Sequence, residues 1–196
     1  KKLTGYLVDS ASFGAVFKTL KDYIQPLLYG AGIVFILMEN QTLDINIKIY
    51  IGLTYALAQL ISVFVTKYAY KLRDFMKTNT ILQLAWIVTA IASIVLGILN
   101  TNVVVIVVSF IMFYISLNIR KPYMVQKIGD HTENQKRASV LSIESQLTSI
   151  MIIVFAPLVG FISDTWGIGV MFVAVGCLMT IIGAVRLLYQ SVKVGQ

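Results

Sequence analysis

Glu144 is the residue whose type and place could carry chemistry. It stands alone in a long apolar stretch that opens at Ala138, seven residues and about 10 Å of helix past Arg137. A carboxylate at that depth can carry a proton, contact a solute or pair with a basic residue of a neighbouring helix. Arg137 and Glu144 are therefore the candidates for coupling or gating, and a bound proton is the one co-reactant this pattern suggests. Tyr55, Gln59, Ser62 and Thr66 fall at i, i+4, i+7 and i+11, on a single helical face. Asp22, Gln25 and Tyr29 share another face; Asp22, next to Lys21, reads as a solvated residue at the membrane edge. Tyr114 and Asn118 lie late in a third stretch, and Gln146 follows Glu144. Gln25, Tyr29, Tyr55, Gln59, Tyr114, Asn118 and Gln146 are the candidate walls of a solute cavity. The serines and threonines among them suit hydrogen bonds between helices better.

These types exclude other chemistries. The one histidine, His131, sits in a polar segment with no second metal ligand nearby, and no His-Glu-x-x-His or cysteine-rich spacing occurs. The glycines are scattered, not grouped around a phosphate. No Ser/His or paired-Asp arrangement lies within the apolar stretches, so the chain reads as a non-enzyme with no cofactor and no metal. Cys177, the single cysteine, cannot form an intrachain disulfide and reads as a packing residue.

Such polar groups need elements to hold them, and the composition says which. The 196-residue chain is 58% hydrophobic and 13% charged, with a mean hydropathy of +0.82. A soluble domain is roughly 45–50% apolar and about 25% charged. A water-soluble fold of this length could not hide so much apolar surface, which predicts an all-α polytopic membrane protein. Runs of about 20 apolar residues, enough to cross a bilayer, place six transmembrane helices at about 20–38, 47–69, 80–99, 103–121, 138–162 and 167–189. Residues 1–19 read as a linker or interfacial segment and 190–196 as a tail. Arg120-Lys121-Pro122 is expected to end the fourth span, with a polar loop from Tyr123 to Arg137. The chain opens at Lys1 with no initiator methionine, as part of a longer protein would.

The positive charges then orient the spans. Lys1, Lys2, Lys18 and Lys21, Lys67, Lys71, Arg73 and Lys77, Arg120, Lys121, Lys127, Lys136 and Arg137, and finally Arg186 and Lys193 all fall on one side. Only Lys48 falls on the other. By the positive-inside bias, both termini and the 70–79 and 122–137 loops are expected in the cytoplasm. The formal charge of +7 then records topology and attraction to anionic headgroups, and nucleic acid is not an expected partner.

Six spans with both ends inside, the segment Arg137-Ala138-Ser139-Val140-Leu141-Ser142, and Ala156-Pro157-Leu158-Val159-Gly160-Phe161-Ile162-Ser163-Asp164-Thr165-Trp166-Gly167 resemble the second half of a major facilitator superfamily transporter. Asp22-Tyr23-Ile24-Gln25-Pro26-Leu27-Leu28 is similar to the start of the seventh helix in many members. One motif departs: in Lys67–Lys77 the glycines of the superfamily's usual cytoplasmic loop are absent and Asp74 is out of register. The resemblance implies a six-helix half-bundle of inverted three-helix repeats, partnered by an N-terminal half outside this chain or by a second copy. It implies secondary transport of a small solute by alternating access. The first, second, fourth and fifth spans would border the cavity, and the third and sixth would pack outside it. A six-span channel or a non-transporting membrane scaffold is the alternative.

Overall fold

A computed structural model of the chain describes the backbone of residues 2–37 and 43–194, and the side chains of residues 2–31 and 48–184. Residues 38–42, between the first two expected spans, and the side chains of Arg186 and Lys193 lie outside the described residues. The described chain is helical, without strands. Helix α1 spans Lys2–Leu37, α2 Leu43–Ala69, the single-turn α3 Leu72–Phe75 and α4 Thr78–Ile98. Helix α5 spans Val103–Asp130, a 3-10 turn covers Asn134–Lys136, α6 spans Arg137–Trp166 and α7 Ile168–Val194.

Among the described residues, four stretches are long and apolar enough to cross a membrane: Lys48–Ala69, Thr78–Ile98, Val103–Asp130 and Asn134–Trp166. Helices of this kind are what an integral membrane protein of the α-helical type is built from. The outward faces agree: Leu53, Leu60, Val63 and Phe64 of α2 and Ile150, Ile153, Val154 and Leu158 of α6 are exposed. Such continuous apolar surface suits lipid or a further apolar partner, not water.

The ends of the helices follow local chemistry. The Asn102 side chain accepts hydrogen bonds from the amides of Val104 and Val105, at 3.0 and 3.3 Å, and so satisfies two of the free N–H groups of α5. Gly167 separates α6 from α7 with a φ of +89°, a backbone conformation that side chains disfavour. Its amide returns to the Ser163 carbonyl at 3.0 Å.

Two boundaries correct the reading of the sequence. Residues 1–19 are not a separate linker or interfacial segment: α1 is continuous from Lys2, and Ala11, Phe13, Val16, Phe17 and Leu20 are buried in the main core. The charges at Lys2, Asp9 and Lys18 obscured a helix whose apolar side is continuous with that of the span behind it. The fourth span does not end at Pro122 either. Helix α5 runs on to Asp130, so the polar loop shrinks to a few residues around His131. Proline removes one backbone donor from a helix interior. Burial of Tyr123 and Met124 against Ile81 and Leu82 offsets that loss.

Side-chain contacts give the relative directions. Phe13 meets Arg120 and Phe17 meets Tyr114, so α1 and α5 run antiparallel. Ser10 meets Glu144 and Gly14 meets Thr148, so α1 and α6 run parallel. Tyr55 meets Phe110 and Ser62 meets Asn118, so α2 and α5 run parallel. Helices α4 and α7 form the tightest pair: a Cβ on Gly97 would stand 2.5 Å from the Gly169 carbonyl oxygen, and one on Gly176 would stand 2.8 Å from that of Ala90. Ser93 of α4 donates to the Phe172 carbonyl of α7 at 2.7 Å in the same seam.

Candidate functional site

Helix α1 is the wall on which the candidate site is built. Lys18, Asp22, Gln25 and Tyr29, spaced i, i+4, i+7 and i+11, form one exposed stripe. The opposite side, with Leu20, Ile24, Leu27 and Leu28, is buried. Because Phe17 packs on Tyr114, in the middle third of α5, Lys18 and Asp22 lie along the body of the bundle and not at its end. Lys21, expected with them at a membrane edge, stands at the same level and pairs with Asp22 at 3.6 Å.

Aromatic rings connect this wall to α2 and α5. Tyr55 stands edge-on to Phe110, with centroids 4.8 Å apart; Phe110 meets Tyr114 at 4.8 Å and Tyr114 meets Phe17 at 5.3 Å. Gln59 lies beside the Tyr114 hydroxyl, and Asp22 is within electrostatic reach of both tyrosines. Of the expected cavity residues, the structure thus brings Tyr55, Gln59, Tyr114 and Asn118 together at the α2–α5 seam. Gln25 and Tyr29 are exposed on α1 and Gln146 is exposed on α6.

Asn118 has a structural task. Its amide nitrogen donates to Ser62 Oγ at 3.0 Å and to its own helix at the Tyr114 carbonyl, 2.8 Å away. That makes it a tie between α2 and α5. Replacing it by leucine is expected to destabilise the folded protein by about 0.6–2 kcal/mol, read as a lower unfolding temperature in mild detergent. An unchanged unfolding temperature would show that the tie is idle.

Glu144 is half-buried, and its Oε1 accepts from Ser10 Oγ at 2.8 Å. No basic side chain pairs with it among the described residues. It lines a cavity of about 260 Å³ between α1, α5 and α6. Arg137 is not brought to it: the arginine is exposed at the start of α6 and lines a separate cavity of about 200 Å³ with Gly129 and Asp130. His131 stacks edge-on against Tyr6, with centroids 5.1 Å apart. Among the described residues, no group of three His, Cys, Asp or Glu could hold a metal ion.

The most developed polar cluster is one that sequence reasoning missed. Arg120, expected at the cytoplasmic end of the fourth span, is only 2% exposed. Its Nη2 bonds Asp9 Oδ2 at 2.5 Å and its Nη1 donates to the Leu82 carbonyl at 2.8 Å. Trp86 Nε1 donates to the other oxygen of Asp9 at 3.1 Å. The guanidinium lies 4.6 Å from the Phe13 ring centroid and 5.4 Å from that of Trp86. One ion pair therefore joins α1, α4 and α5, with the guanidinium buried between aromatic rings and the Asp9 carboxylate partly exposed. The signal in the sequence was Asp9 one turn before Phe13, which matters only once residues 2–19 are read as helix.

The fold and this site define a class: an all-helical protein with several helices able to span a membrane, and with charged and polar side chains gathered along its length. No protein-family model matches the chain, and no curated protein matches it.

Proposed function

We propose that this chain is the C-terminal half of a facilitator-type secondary transporter, which moves a small solute across the membrane by alternating access. The observation that carries the reading is the stripe Lys18–Asp22–Gln25–Tyr29. It places charge and hydrogen-bonding capacity along the middle of the bundle, where lipid would penalise both. Polar residues at such a depth belong against water or a solute. Helices α1, α2, α5 and α6 carry these groups, whereas α4 and α7 seal their apolar faces on each other through glycine. That division is the one expected when four helices border a cavity and two pack outside it. The opposing wall is supplied by an N-terminal six-helix half or by a second copy, and six spans with inverted three-helix repeats complete the architecture.

Lys18 and Lys21 lie along the bundle, so they no longer count towards orientation. The remaining basic residues, Lys48 apart, still favour one end. That end, with the 70–79 and 122–137 segments and both termini, is assigned to the cytoplasm.

The test is uptake of a broad solute panel by the full-length protein in liposomes. Saturable, solute-dependent flux is expected. Folded protein that moves nothing across the whole panel, or that conducts ions in single-channel steps, would remove the proposal.

A further inference from the structure

The cavity between α1, α5 and α6 carries charges of both signs at its two ends. Glu144 marks one end, level with Ser10, and only one of its two carboxylate oxygens is engaged by that hydroxyl. Lys18 marks the other, eight residues and about 12 Å further along α1. It is exposed and has no acidic partner among the described residues. Phe13, Phe17 and Leu117 give the space between them an apolar floor. Of the other cations on the wall, Arg120 has its charge met by Asp9. Lys121, next in the chain and therefore near the level of Phe13, is exposed along the wall, which leaves Lys18 as the cation of the far end.

Opposite charges that do not satisfy each other, separated by an apolar floor, match a ligand with the same polarity reversed. Resting on the transport reading above, we infer that this cavity is the solute site and that its solute is a small zwitterion with an apolar side group, an amino acid or a short peptide. The ligand's ammonium sits at Glu144, its carboxylate at Lys18 and its side group on Phe13 and Phe17. A volume of about 260 Å³ accommodates a ligand of that size. Side-chain reach from both helices shortens the 12 Å between the two levels to the span of such a molecule. The Ser10 hydroxyl holds the carboxylate of Glu144 in place, so the acid is presented to the cavity and not to lipid.

The experiment is a thermal-shift titration of the purified full-length protein in detergent with L-leucine and leucyl-leucine. Each probe is compared with its N-acetyl form, which lacks the ammonium, and its amide, which lacks the carboxylate. At least one zwitterion is expected to raise the unfolding temperature, with both blocked forms roughly tenfold or more weaker, because each leaves one charged group of the site unpaired. Glu144→Gln should erase the preference over the N-acetyl form and leave that over the amide. Lys18→Gln should do the reverse. Lys18 is exposed and Glu144 half-buried, so neither substitution removes a core side chain, and the unliganded unfolding temperature of each variant reports whether it folds. No shift with any probe, equal shifts for a zwitterion and its N-acetyl form, or preferences untouched by both substitutions would overturn the inference. The two readings fail separately. Flux of some other solute without zwitterion binding sinks this site and leaves transport standing, whereas binding without flux does the opposite.

Discussion

Arg120→Met should lower the stability of the folded protein by about 3–5 kcal/mol, the cost of leaving one partner of a buried ion pair alone. The methionine keeps much of the apolar stem of the arginine, so the loss comes from what it leaves behind. Asp9 would lose its 2.5 Å partner, and the Leu82 carbonyl would lose its side-chain donor. The double variant Asp9→Leu/Arg120→Met removes both charges. Replacing a buried pair by apolar residues of similar volume is often neutral or stabilising, so the double variant should recover most of the loss. Thermal or denaturant unfolding in detergent measures both. Equal losses in the single and double variants would show that the charges do not act as a pair. No loss in either would show that α1 is not held here.

Gly97→Val and Gly176→Leu are expected to separate α4 from α7 and to reduce folded yield, each by about 1–3 kcal/mol or more. The first atom added to Gly97 would already meet the Gly169 oxygen at 2.5 Å and the Val173 nitrogen at 2.8 Å. At Gly176 it would meet Ile94 Cγ1 at 2.6 Å and the Ala90 oxygen at 2.8 Å. Backbone atoms cannot move aside as a flexible side chain can, so the helices must part and lose the close contact that drives association in lipid. Gly52→Ala provides the contrast. Nothing lies within 4 Å of a Cβ there, and the substitution should be neutral or stabilising by up to about 1 kcal/mol. The comparison fails if Gly97→Val and Gly52→Ala behave alike.

Parts of the bundle were open to a reader of residues alone. The run from Val103 to Leu117 can only be a buried or lipid-facing helix, because no turn chemistry interrupts it. The stripe of Tyr55, Gln59 and Ser62 follows from helical spacing, and the structure does place Gln59 beside Tyr114. Residues 1–19 were hidden for a physical reason. A charge in an apolar stretch reads as a boundary unless its partner is known, and the partner of Asp9 is more than a hundred residues away, at Arg120. Pro122 misled in the same manner, since the burial that carries the helix past it comes from Ile81 and Leu82 of another helix. The glycines of α7 looked scattered because their spacing gains meaning only against Gly97.

What the amino acids determined unaided was the solvent and the element type: an apolar excess this large selects helices long enough to span a bilayer. Their periodicity also selected which polar residues share a face. Only the tertiary structure decided depth and partnership: that Lys18 lies along the bundle, that Arg120 is buried against Asp9, and that Glu144 opens onto a cavity. Those outcomes depend on contacts between residues far apart in the chain, and local spacing carries no record of which helix will lie alongside which.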